Sequence, residues 1–136
     1  MHMNRFCLLL LPAAALLASC SKTTEDKAKL AVQDFVRTRA SEPSNYFGEK
    51  FRFRPYTKRD SLLYLADMAR INNLPAPPAP TPADSVRIGT LVYHSYRDQM
   101  RNGIMVQDSG EFVARPNGTV RSLVAESLRR KRLAGK

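Results

Sequence analysis

The sequence predicts an α+β domain: an N-terminal helix packed on a curved antiparallel sheet of about four strands, with a helix and a proline-rich insertion after the first strand. Three observations carry that prediction. Apolar residues recur at helical spacing through Ala28, Ala31, Val32, Phe35 and Val36. Phe51 and Phe53 alternate with Lys50, Arg52 and Arg54, the two-residue period of a half-buried strand. In the last third, Asn102-Gly103 and Asn117-Gly118 punctuate runs rich in β-branched and aromatic residues, a hairpin signal.

The chain opens with a short basic start (His2, Arg5), an apolar run from Phe6 to Ala18, and then Ser19-Cys20. That order is the order of a secretory signal. At 13 residues the run is too short to span a bilayer. A helix rises ~1.5 Å per residue and the hydrocarbon core is ~30 Å thick. Ala18 and Ser19 are small enough for a narrow peptidase cleft, which places cleavage between Ser19 and Cys20. Leu17-Ala18-Ser19-Cys20 resembles the lipobox of bacterial lipoproteins. The resemblance implies that Cys20 heads the mature chain and carries a diacylglyceryl thioether and an N-acyl chain. Each buried CH₂ contributes ~0.8 kcal/mol, so several chains hold a protein far more firmly than one. Ser21, with no aspartate beside the cysteine, implies sorting to the outer membrane of a Gram-negative envelope.

Removing residues 1–19 leaves 117 of the 136 residues, enough for one small domain, and loss of Arg5 takes the net charge from +10 to +9. Cys7 leaves with the signal and Cys20 is committed to lipid, so no disulfide is expected and the core must hold the fold. A basic surface attracts anionic partners: lipid head groups, lipopolysaccharide phosphates or acidic polymers. Export argues against nucleic acid.

Along the mature chain, residues 20–26 read as a tether. Thr23 and Asp26 form a capping box opening the first helix, which stops before Pro43. The first strand follows over 46–54. A second capping box, Thr57 with Asp60, opens a second helix with an apolar stripe of Leu62, Leu65, Ala66 and Ala69, broadened by Leu63, Met68 and Ile71. That helix is expected to fray at Asn72-Asn73. Five prolines between Pro75 and Pro82 exclude helix and favour an extended surface linker over 74–83. Strands are expected over 86–96, 104–114 and 119–124, with Gly110 marking a bulge or a close approach. The organisation is therefore signal 1–19, tether 20–26, α+β domain 27–124 and a basic tail 125–136.

Glu42-Pro43-Ser44-Asn45-Tyr46, Tyr96-Arg97, Asn102-Gly103, Phe112 and Asn117-Gly118-Thr119-Val120 are similar to a group of small, mostly uncharacterised bacterial lipoproteins. The resemblance implies one helix packed on a curved antiparallel sheet, cystatin-like in outline. Its motifs are structural and carry over no catalytic residue. The segment from Thr57 to Pro82 looks like an insertion.

The mature chain holds one histidine, His94, and no free cysteine, which leaves little for catalysis. On a strand, His94 and Asp98 lie ~13 Å apart along the axis, too far to hydrogen-bond. Alternation puts Asp108 and Glu111 on opposite faces. Neither a zinc spacing nor a phosphate loop is present, so no metal or cofactor is expected. The candidate sites are lipid attachment at Cys20, anion binding at Lys50, Arg52, Arg54, Arg129, Arg130, Lys131 and Arg132, and O-glycosylation at Ser85 in Asp84-Ser85-Val86. The expected function is that of a non-enzymatic, lipid-anchored envelope module that binds a partner or supports an assembly. Two alternatives are a small envelope-polymer hydrolase using His94 with a carboxylate, and a binder of anionic lipid or lipopolysaccharide.

Overall fold

The computed structural model describes residues 21–135, so Ser19 and Cys20 lie outside the described residues. Its elements are α1 (Thr24–Arg37), β1 (Phe47–Thr57), α2 (Lys58–Ile71), β2 (Arg87–Gln99), β3 (Met105–Ala114), β4 (Val120–Leu123) and α3 (Glu126–Ala134), with 3₁₀ turns at Pro43–Asn45 and Pro82–Ser85. The four strands form one antiparallel sheet in the order β1-β2-β3-β4. The fold is α+β, with a helix and a proline-rich segment inserted after the first strand.

Local chemistry sets the helix starts. The Thr23 hydroxyl accepts from the Asp26 amide while the Asp26 carboxylate accepts from the Thr23 amide. Helix α1 therefore begins at Thr24, inside the stretch expected as tether. Thr57 and Asp60 repeat the device for α2. Rather than fraying, α2 ends on Asn73 at φ 54°, with the Leu74 amide donating to the Ala69 carbonyl. That bond, with a left-handed asparagine, closes the last turn.

Both hairpin turns are three-residue loops that end on a left-handed glycine, Gly103 at φ 82° and Gly118 at φ 83°. In each, the asparagine before the glycine accepts the amide beyond it: Asn102 from Ile104 and Asn117 from Thr119. Glycine occupies αL without the Cβ penalty, which explains the repeated Asn-Gly.

The sheet is covered on both faces. On one, Ala28, Val32 and Val36 of α1 pack on Val92, Phe112 and Ala114, with Phe51 and Phe53 at the margin. On the other, Tyr56, Leu91 and Val113 form a second cluster. Above it lie α2 and α3, joined by an Arg129–Asp67 ion pair and by the Tyr64 hydroxyl, which accepts from the Val124 amide. Of the expected stripe Ala69 is buried, but Tyr64 takes the inward position in place of Leu65, which is exposed. Tyrosine wins that position because its hydroxyl finds a partner while its ring lies beneath the Arg129 and Arg121 guanidinium groups. The expected basic tail is a docked helix.

Strand β1 runs past its predicted end, through Pro55 to Thr57. It is an edge strand, and an edge tolerates proline's missing N–H. The proline-rich segment returns from the end of α2 to its start. An extended run from Leu74 to Thr81 covers about 25 Å, close to the roughly 21 Å rise of α2. It is fastened there by Asp84, buried, with Lys58 Nζ at 2.7 Å. Lys58, seconded by the Thr81 amide, holds the Asp84 carboxyl at about 2. The expected surface linker is thus a strap tied at both ends.

Gly110 marks a close approach. The β2–β3 register passes it without a bulge, and a Cβ there would sit 2.7 Å from the Phe112 ring. Phe35 clamps that ring edge-on at 5.9 Å. Gly110→Ala is expected to cost about 1–3 kcal/mol through overpacking. Urea denaturation checks this as a lower midpoint at unchanged slope.

Candidate functional site

Alternation along β1 turns Lys50, Arg52 and Arg54 to the second face of the sheet, opposite Phe51 and Phe53. There α2 and α3 cover one half of the strands and leave the other half open. The result is a trough of about 1050 Å³ floored by β1, β2 and β3 and walled by the start of α3. Lys50, Arg52, Tyr93, Ser95, Ser109 and Glu111 line it, with Arg130 at the wall. It continues beneath α2 and α3 into a smaller space of about 380 Å³. Lys50 and Arg52 of the predicted strand group and Arg130 of the predicted tail group therefore line a single depression.

Their charges are not equally available. Arg54 donates to Asp60 at 3.1 Å, and the carboxylate of Asp60 is held below its ordinary value despite its burial by bonds from Thr57 and Arg54. Arg129 is partly buried, pairs with Asp67 and donates to the Val124 carbonyl, so it joins α3 to α2 and is not free for a ligand. Arg130 pairs with Glu126 one turn away. Lys50 and Arg52 make no ion pair among the described residues. The Arg52 guanidinium stands over the Tyr93 ring, 5.0 Å from its centre. Lys131 and Arg132 are exposed on the outer side of α3. Ser85 is exposed at the end of its 3₁₀ turn, with its backbone tied down by the strap.

His94 lies beneath the trough with its side chain turned to the opposite face, only 1% exposed. Its ring stacks on Phe51 at 3.9 Å. Nδ1 lies 3.0 Å from the Lys50 carbonyl, which can only accept, so Nδ1 carries the proton. Nε2 then accepts from the Tyr46 hydroxyl. Both nitrogens are used and no carboxylate hydrogen-bonds to the ring among the described residues. Tyr96, beside it, donates to Asp108 at 3.2 Å and is pushed up to about 12, by burial first and by that carboxylate second. Asp108 and Glu111 lie on opposite faces, Glu111 accepting the Glu126 amide that opens α3. Among the described residues His94 thus lacks the carboxylate partner that the hydrolase alternative calls for. No group of three or more histidine, cysteine or carboxylate side chains that could hold a metal occurs among the described residues.

Sequence reasoning missed Tyr93, Ser109 and Glu111 as trough residues, and Tyr46 as the partner of His94. A signal for the second covered face was present. Leu91-Val92-Tyr93 and Phe112-Val113-Ala114 are uninterrupted apolar runs, which mark strands buried on both sides. The chain matches no protein-family model, no curated protein and no solved structure.

Burial lowers the His94 pKa below its ordinary 6.5. Below pH 6.5 the unfolded chain therefore binds the proton more readily than the folded one. The stabilising contribution of neutral His94 is complete above that value and is lost as pH falls towards the depressed folded pKa. Urea midpoints taken from about pH 7 to about pH 5 should fall for the wild type and lose that component in His94→Gln. Tyr46→Phe, which strands a buried acceptor, should cost about 1–3 kcal/mol at neutral pH.

Proposed function

We propose that this protein is a small lipid-anchored module of the bacterial envelope. It is held in the outer membrane by a diacylglyceryl thioether and an N-acyl chain on Cys20, and it works by binding rather than by catalysis. The observation that carries the reading is Leu17-Ala18-Ser19-Cys20 at the end of a short apolar run. The fold is consistent with it: α1 starts at Thr24, so ordered structure begins within four residues of the lipid-bearing cysteine. Among the described residues no helix is long and apolar enough to cross a membrane. Radiolabelled fatty acid should enter the wild type and sediment with membranes, and Cys20→Ala should show neither. Label persisting in Cys20→Ala, or an unmodified thiol in the wild type, would overturn the anchor.

The binding surface in this reading is the trough, and its occupant is an anionic envelope polymer. Lys50 and Arg52 make no ion pair among the described residues and line the trough together with Tyr93, Ser95 and Ser109. Affinity for phosphorylated lipopolysaccharide core oligosaccharide, measured by calorimetry, should fall as salt is raised and about 5-fold for each of Lys50→Gln and Arg52→Gln. Unchanged affinity in both variants would remove this role.

A further inference from the structure

A lipid on Cys20, as proposed above, would tether the domain by the end at which α1 begins. Residues Ser21 to Thr23 precede α1, so Cys20 lies within about 10–14 Å of the helix start even when the chain is fully extended. The first turns of α1 meet the start of β2 and the β3–β4 turn, where Thr24, Lys27, Arg87, Arg115 and Asn117 surround one cavity of about 600 Å³. Thr57 pairs with Arg87, which brings the first turn of α2 to the same end. The far end is the β2–β3 hairpin. The Ser41 amide donates to Asp98 and Asn45 bonds Gln99, so the chain leaving α1 reaches β2 near that hairpin. From Arg87 to Gln99, β2 covers roughly 40 Å.

Charge is distributed unevenly between the two ends. Lys22, Lys27, Arg59, Arg87 and Arg115 are exposed at the tether end, against the carboxylates of Glu25 and Asp26. Lys58 and Arg54 are neutralised there by Asp84 and Asp60. The hairpin end instead exposes Met100, Ile104, Met105 and Val106, with Arg101 the cation in its turn. Lys50 and Arg52, opposite Ser95 and Tyr93, stand roughly 20–26 Å along β2 from Arg87. The screening length at physiological salt is ~8 Å, so those two cations lie beyond the reach of head groups under the tether end.

We propose that the end carrying Lys22, Lys27, Arg59, Arg87 and Arg115 is seated on the anionic lipid head groups of the membrane that holds Cys20. The strands then rise from the bilayer, the trough opens sideways above the head groups, and the apolar hairpin is presented outward. This rests on the reading of Cys20 as the lipid-bearing residue. It assigns the membrane contact to residues other than the Arg129–Arg132 cluster, of which Arg129 and Arg130 are already paired.

The test uses the full mature lipoprotein in vesicles of phosphatidylcholine with phosphatidylglycerol, after mass spectrometry of Cys20. A fluorophore is placed at Asn117→Cys or at Asn102→Cys, with a nitroxide quencher at head-group level. Strong quenching is expected at position 117 and none at 102. Vesicles of phosphatidylcholine alone, or the pair Lys27→Glu with Arg115→Glu, should lose most of the quenching at 117 while the protein stays with the vesicles. Those two side chains are exposed and make no ion pair among the described residues, so the pair should keep the wild-type circular dichroism melt. If it does not, Lys27→Gln with Arg115→Gln serves the same comparison. Quenching at 102 instead of 117, or quenching at 117 that ignores charge, would overturn the seating with the anchor intact. An unacylated Cys20 would remove the anchor reading itself.

Discussion

The β2–β3 ladder is the constraint on which the rest of the molecule depends. Its register is continuous from Thr90 opposite Ala114 to Gln99 opposite Met105. Its inner residues are buried from both sides: Val92 and Phe112 beneath α1, Leu91 and Val113 on the side of α2 and α3. Each such aliphatic or aromatic side chain contributes about 1.5–3 kcal/mol when removed from water. With no cysteine among the described residues to cross-link them, a sheet buried on one face would leave half of that contribution unrealised. The second helical layer is therefore a structural requirement, and the strap and the docked α3 exist to hold it.

That second layer is incomplete, and the incompleteness makes the trough. Helices α2 and α3 cover the strands around Leu91 and Val113 but stop short of Ser95 and Ser109. The residues beyond the cover are polar or cationic on the second face and aromatic on the first, as strand alternation demands. His94 shows the division most sharply. Its backbone floors the trough, yet its ring is sealed on the far side among Tyr46, Phe51 and Tyr96, with both nitrogens bonded within the protein.

Much of the basic charge of this chain serves internal purposes. Arg129 ties α3 to α2 through Asp67, Lys58 fastens the strap through Asp84, and Arg54 is paired with Asp60. Two groups of the remaining cations bear on binding: Lys50 and Arg52 in the trough, and Lys22, Lys27, Arg59, Arg87 and Arg115 around the tether. Their separation along β2 is several screening lengths, so the two groups act independently.

Features encoded within a few residues were readable from the chain alone. Thr23 with Asp26 and Thr57 with Asp60 opened helices, Asn-Gly pairs turned hairpins, and the alternation through Phe51 and Phe53 split β1 into an apolar and a cationic face. Each depends on neighbours in sequence, so local steric and hydrogen-bonding rules suffice. The tertiary structure alone decided that Tyr64 rather than Leu65 faces inward, that Arg129 is a cross-link between helices, that the prolines return along α2, and that Arg52 and Arg130 share one depression. Those outcomes join residues tens of positions apart, such as Tyr64 with Val124, and the free energy that selects them comes from burial against partners the local sequence does not contain.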